Sequence, residues 1–128
     1  MINYGHSHDN FSSEEIDTGG VWTDGSTIYR KTVTFGTIAA GSLKSVSLGL
    51  GATFGQLIRL WGAATLSGDA YQYPLPYTYQ TGNYTVSLEI GQATTDPVVT
   101  IRNGVQGNSS GSAIKEGFAV VEYTKKEA

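Results

Sequence analysis

"WTDGSTIYRKTVTFG", residues 22 to 36, joins a turn signal to a strand signal. Asp24-Gly25 supplies a glycine that tolerates positive φ, and the run from Thr27 to Phe35 is rich in β-branched and aromatic residues. Period-two alternation sets Tyr29, Val33 and Phe35 on one face. The stretch predicts a hairpin or strand entry, with Trp22 on its first arm.

The same grammar recurs along the chain. "SLKSVSLGLG", residues 42 to 51, alternates and ends with Val46, Leu48 and Leu50 on one apolar face. "QLIRLWGAATLSG", residues 56 to 68, is a denser apolar run lying across the core; its flanking glycines and β-rich surroundings favour strand over a short helix. "YTVSLEIG", residues 84 to 91, sets Val86, Leu88 and Ile90 against Ser87 and Glu89 as a half-buried strand. "VVTIRNG", residues 98 to 104, reads as a strand ending in an Asn103-Gly104 turn. "GFAVVEYTK", residues 117 to 125, sets Phe118, Val120 and Glu122 against Ala119, Val121 and Tyr123. Seventeen glycines, eight tyrosines and only 15% charged residues disfavour helices and fit many short strands. The expected fold is all-β, a β-sandwich or jelly-roll-like head domain over residues 21–128, preceded by a short extended linker over residues 1–20.

At 128 residues the chain is long enough for one core that buries about two thirds of the unfolded surface. A net charge of −3 with scattered cations argues against a phosphate-backbone partner, so no nucleic acid is expected. No apolar run approaches the length that spans a bilayer, so no membrane insertion is expected. Without cysteine there is no thiolate chemistry and no disulfide framework.

Nothing in the sequence supports a reaction. Eleven acidic residues always offer carboxylate pairs at glycosidase separations, and Glu89 and Glu122 are expected on solvated outer faces. There is no G-x-S-x-G, and "GLGATFG", residues 49 to 55, lacks both the spacing and the Lys-Ser/Thr pair of a phosphate loop. The chain is read as a non-enzyme.

Two clusters remain as candidate binding groups. "YQYPLPYTYQTGNY", residues 71 to 84, holds Tyr71, Tyr73, Tyr77, Tyr79 and Tyr84, stiffened by Pro74 and Pro76. Such rings can stack on a sugar face while their hydroxyls hydrogen-bond; equally, they can pack on the sheet or on a neighbouring subunit. His6 and His8 project from one side of an extended chain. In a single chain they make a weak exposed site or a plain solvated linker. Three chains on an axis would supply six imidazole nitrogens, enough for an octahedral transition-metal ion.

"FSSEEIDTGGVWTDGSTIYRKTVTFG", residues 11 to 36, and "GFAVVEYTKKEA", residues 117 to 128, resemble segments of tail-associated proteins of bacteriophages and prophages, and the two ends bracket most of residues 11 to 126. The resemblance implies the C-terminal receptor-binding head domain of a tail fibre or baseplate protein. Such domains are β-structured, often homotrimeric, part of the virion tail after synthesis in the bacterial cytoplasm, and bind carbohydrate or other receptors on the host surface. The rest of the fibre or baseplate would be a further partner. The His-x-His pair is similar to one that holds an axial iron ion in trimeric fibres and spikes. Trp22 is expected to play a structural part, pinning the linker to the first hairpin or to a neighbouring subunit. A domain that only trimerises or caps a tail protein is the alternative.

Overall fold

The computed structural model describes residues 10–66, 72–78, 85–104 and 112–127. Nine strands lie among the described residues: β1 (Ile16–Val21), β2 (Thr27–Thr34), β3 (Leu43–Ser47), β4 (Phe54–Leu66), β5 (Gln72–Leu75), β6 (Tyr77–Thr78), β7 (Thr85–Gly91), β8 (Val98–Asn103) and β9 (Ile114–Lys125). They form two antiparallel sheets, β1-β2-β9-β4-β5 and β3-β8-β7-β6. Alternation turns Val33 and Phe35 from the β2 region, Ala64 and Leu66 from β4 and Ala119, Val121 and Tyr123 from β9 toward Val86, Val99 and Ile101 of the other sheet. These facing side chains are the core of an all-β sandwich, the architecture expected from the turn and strand pattern.

The opening hairpin closes as its residues dictate. Gly25 takes φ +86°, a conformation that a β-carbon would strain, and its N–H donates to the Trp22 carbonyl at 2.9 Å. The Trp22 N–H in turn donates to the Ser26 carbonyl, and the Ser26 N–H donates to the Asp24 carboxylate. That backbone hydrogen bond holds the Asp24 carboxyl below its ordinary range.

Part of the segment expected to be a linker is in the sheet. β1 pairs antiparallel with β2, and upstream of it the Ser12 carbonyl accepts from the Thr32 N–H at 2.9 Å. The polar sequence of β1 hid it: Asp17, Thr18, Gly19 and Gly20 carry no apolar alternation, and the ladder shifts register between Asp17 and Val21. Side-chain bonds compensate, with the Thr18 hydroxyl donating to the Ile28 carbonyl at 2.7 Å. Glu15 accepts from the Tyr123 hydroxyl and from Lys125 Nζ, both at 2.7 Å. Burial, reinforced by the Glu15 carboxylate, pushes the Tyr123 phenol far above its ordinary range, so it is a neutral donor at every physiological pH.

Two lysines join the sheets along the β2–β3 flank. Lys31 Nζ of β2 donates to the Leu48 carbonyl just beyond β3, and Lys44 Nζ of β3 donates to the Phe35 carbonyl just beyond β2, both at 2.6 Å. Each ammonium satisfies a carbonyl that has left its ladder.

Asn103 ends β8, but its side chain does more than shape a turn. It is fully buried, and Nδ2 donates to the Ile38 carbonyl at 3.0 Å and to the Ser112 carbonyl at 2.9 Å. One amide thus ties the β2–β3 connection to the start of the chain that enters β9. Asn103→Ala is expected to lower unfolding free energy by about 1–3 kcal/mol, the net contribution of the two hydrogen bonds that its buried amide donates. Urea denaturation reads this directly; an unchanged midpoint and slope would show that the tether contributes nothing.

Candidate ligand-binding face

The outward side of the five-stranded sheet can be built row by row from its register. Arg30, Glu122 and Arg59 lie side by side across β2, β9 and β4. Thr32, Val120 and Trp61 form the next row, and Thr34, Phe118, Ala63 and Pro74 the third. Glu116, Thr65 and Gln72 form the last. Each row is two residues, about 7 Å, further along the strands.

Residues 10 to 12 cross the first two rows. The Phe11 ring meets the Trp61 ring edge-on at 6.0 Å, and Trp61 meets Phe118 in the same manner at 6.1 Å, so three aromatic rings run along the face. Arg30 sits 4.8 Å from the Phe11 ring centroid, and its Nη1 donates to the Asn10 carbonyl at 2.8 Å. Beneath this cover Arg30 is 7% exposed, Glu122 9% and Val120 1%. Glu122 therefore departs from its expected solvated position: alternation put it on the outer face, and Phe11 with its neighbours turned that face into a second small interior. Arg30 Nε and Nη2 each lie 2.9 Å from Glu122 Oε2, which supplies the counter-charge that burial requires. Glu89, in contrast, is exposed as expected and accepts from Arg102 Nε at 2.8 Å, which holds its carboxyl below the ordinary range.

Beyond Phe118 the face dips into a groove of about 440 Å³, lined by Thr34, Ala63, Thr65, Gln72, Glu116 and Phe118 together with backbone of the adjoining strands. The dip exists because Ala63 is small and lies between Phe118 and Pro74 in its row. The side chains of Thr34, Thr65, Gln72 and Glu116 have no hydrogen-bond or ionic partner among the described residues, so two hydroxyls, an amide and a carboxylate line the groove beside one aromatic ring. On the neighbouring row Trp61 Nε1 and Thr32 Oγ1 are buried without a partner among the described residues. An aromatic wall flanked by open polar groups can bind a polar ring through its apolar face and its hydroxyls together.

The sequence candidates fall elsewhere. Tyr71, Tyr79 and Tyr84, and the histidines His6 and His8, lie outside the described residues. Tyr73 and Tyr77 are half-buried against the core, their rings 4.5 Å apart and tilted by 38°. Tyr73 pairs with the buried Ala64, on the opposite side of β5 from Gln72 and Pro74. Trp22 is 39% exposed at the hairpin tip beside Val21 at 67%, and no ring or cation lies against it among the described residues. Among the described residues no group of three or more His, Cys, Asp or Glu is arranged to hold a metal ion.

Phe11, Trp61, Phe118, Gln72 and Glu116 escaped sequence reading. The available signal was the alternation Arg59, Trp61, Ala63, Thr65, which places the tryptophan outward. It is hidden in a run that is apolar on both faces. Compared with known proteins, the chain matches no protein family, no curated protein and no solved structure.

Proposed function

We propose that this domain is a noncatalytic adhesion module, the receptor-binding head of a bacteriophage or prophage tail fibre or baseplate protein that attaches to glycan on the host surface. The groove beside Phe118 carries the binding half of this reading: an aromatic wall flanked by four polar side chains without a partner among the described residues suits the apolar face and the hydroxyls of a pyranose ring. The virion half rests solely on the resemblance read from the two end segments of the sequence. In a homotrimer, three shallow sites would act together, raising avidity well above the affinity of one.

The test is an array of bacterial surface oligosaccharides probed with wild type, Gln72→Ala and Phe118→Ala. Binding is expected to fall about tenfold or more in each variant, the loss of roughly 1.4 kcal/mol from one polar or stacking contact. Gln72 is exposed, so its variant should melt as wild type does. Binding indifferent to both changes would remove the groove from the reading.

The exposed Val21 and Trp22 favour a second reading, a trimerising or capping domain of a tail protein with no ligand of its own. An empty array together with a solution mass three times 13.6 kDa would select it.

A further inference from the structure

The sequence contains a single Asn-Gly pair, Asn103-Gly104, at the end of β8. In an open chain such a pair reacts with itself. The Gly104 backbone nitrogen attacks Asn103 Cγ, the new C–N bond closes a succinimide ring, and the side-chain nitrogen leaves as ammonia with the Gly104 amide proton. Water then opens the ring at either carbonyl, giving aspartate or, where the main chain is rerouted through the side chain, isoaspartate. Glycine favours the attack because it has no β-carbon to obstruct the approach and its backbone is the least restricted.

The fold withholds each group that this reaction needs. The Gly104 N–H donates to the Thr85 carbonyl at 2.8 Å, which holds the attacking nitrogen against the start of β7. Asn103 Nδ2 donates to the Ile38 carbonyl at 3.0 Å and to the Ser112 carbonyl at 2.9 Å, which fixes the carbon under attack. The Asn103 backbone is held as well, its N–H donating to the Ser42 carbonyl at 2.8 Å and its carbonyl accepting from the Gly41 N–H at 2.7 Å. At 0% exposure the side chain meets no hydroxide. Ring closure requires these bonds to break together, so it proceeds from the opened chain at a rate set by how often that state is populated.

We propose that Asn103-Gly104 is a deamidation site that the native fold protects and unfolding exposes, and that its conversion removes the chain from the folding equilibrium. The product carries a carboxylate in place of the amide. It has no proton to give the Ile38 and Ser112 carbonyls, and refolding would bury its charge against two carbonyl oxygens. Isoaspartate also lengthens the main chain by one carbon where Ser42, Asn103 and Thr85 are joined by backbone bonds. An unfolded chain thus becomes irreversibly unfolded through chemistry built into its own sequence, independently of any ligand.

The experiment incubates wild-type protein at mildly alkaline pH, in buffer and in denaturing guanidinium chloride, and follows the residue at position 103 by peptide mapping together with ammonia release. Folded protein should convert at least about a hundredfold more slowly than unfolded protein, because a domain of ordinary stability opens that rarely or less. When partly converted, unfolded protein is returned to buffer, aspartate and isoaspartate should be enriched about tenfold or more in the fraction that fails to refold. Asn103→Asp reproduces the aspartate product and should unfold at a lower urea concentration than wild type. Equal rates in the two states, an unfolded chain that keeps its asparagine, equal proportions of converted residue in the refolded and misfolded fractions, or a wild-type midpoint for Asn103→Asp each overturns the proposal.

Discussion

Arg30→Met is expected to lower unfolding free energy by roughly 3–5 kcal/mol, the usual cost of stripping the partner from a buried charge. Two of the guanidinium nitrogens lie 2.9 Å from one Glu122 oxygen, and the third donates to Asn10. Methionine keeps much of the volume but leaves Glu122 with 9% exposure and no bonded cation. Arg59 is the register neighbour of Glu122 on the β4 side, but it packs 5.5 Å from the Trp61 centroid and would have to give up that contact to help. The double variant Arg30→Met/Glu122→Leu should recover most of the loss, because an apolar pair of similar size removes both desolvation costs together. Equilibrium urea denaturation of the three proteins checks this. A single variant within about 0.5 kcal/mol of wild type would mean that water reaches Glu122 freely. The consequence extends to the binding face, since Arg30 also holds Asn10 and Phe11 in place and thereby one end of the aromatic row.

The distinction between β2 or β7, which the sequence exposes, and β1, which it conceals, is one of where stabilisation comes from. Tyr29, Val33 and Phe35 advertise a strand because burial on one face demands period-two apolar residues. Ile16 to Val21 stays in the sheet through backbone pairing, the Thr18 hydroxyl and the Glu15 anchor, none of which requires an apolar pattern. β4 was legible as a strand but not in its geometry, since it is apolar on both faces and its ladder with β9 shifts register near Leu57. The binding face was the least legible for a different reason. Phe11, Trp61 and Phe118 are distant in sequence and meet only when β9 lies between β2 and β4, a pairing order that no local window contains. The tyrosine-rich segment drew notice by composition alone, and composition does not tell Tyr73, turned toward the core, from Gln72, turned toward the groove. Alternation likewise divides β9 into two faces without saying that Phe11 covers the second, which is why Glu122 was expected in solvent.

Gly62→Ala should be the most disruptive small substitution on β4, costing about 3 kcal/mol or more although it adds a single methyl group. Gly62 is buried opposite Ala119, and a β-carbon there would run into the backbone carbonyl oxygen of Phe118, with the Ala119 Cα 3.0 Å away. The obstacle is main chain in the middle of the longest ladder of the sheet, so no rotamer change relieves it. The strands themselves must part. Gly91→Ala is the matched control: it sits in β7 at ordinary backbone angles, and its β-carbon would meet only the Val98 Cγ2 at 3.6 Å. That change should be neutral or stabilise by up to about 1 kcal/mol, through the lost freedom of the unfolded chain. Thermal and urea unfolding of the pair separates a steric cause from a general intolerance of alanine for glycine; equal stabilities would remove the close approach from the account. The same contact links the core to the binding face. Phe118 and Ala63 are directly opposed one residue on, and their spacing sets the wall and floor of the groove. If Gly62→Ala folds at all, its groove should be distorted, and the glycan binding proposed for it should fall more than stability alone accounts for when both are measured well below the melting temperature.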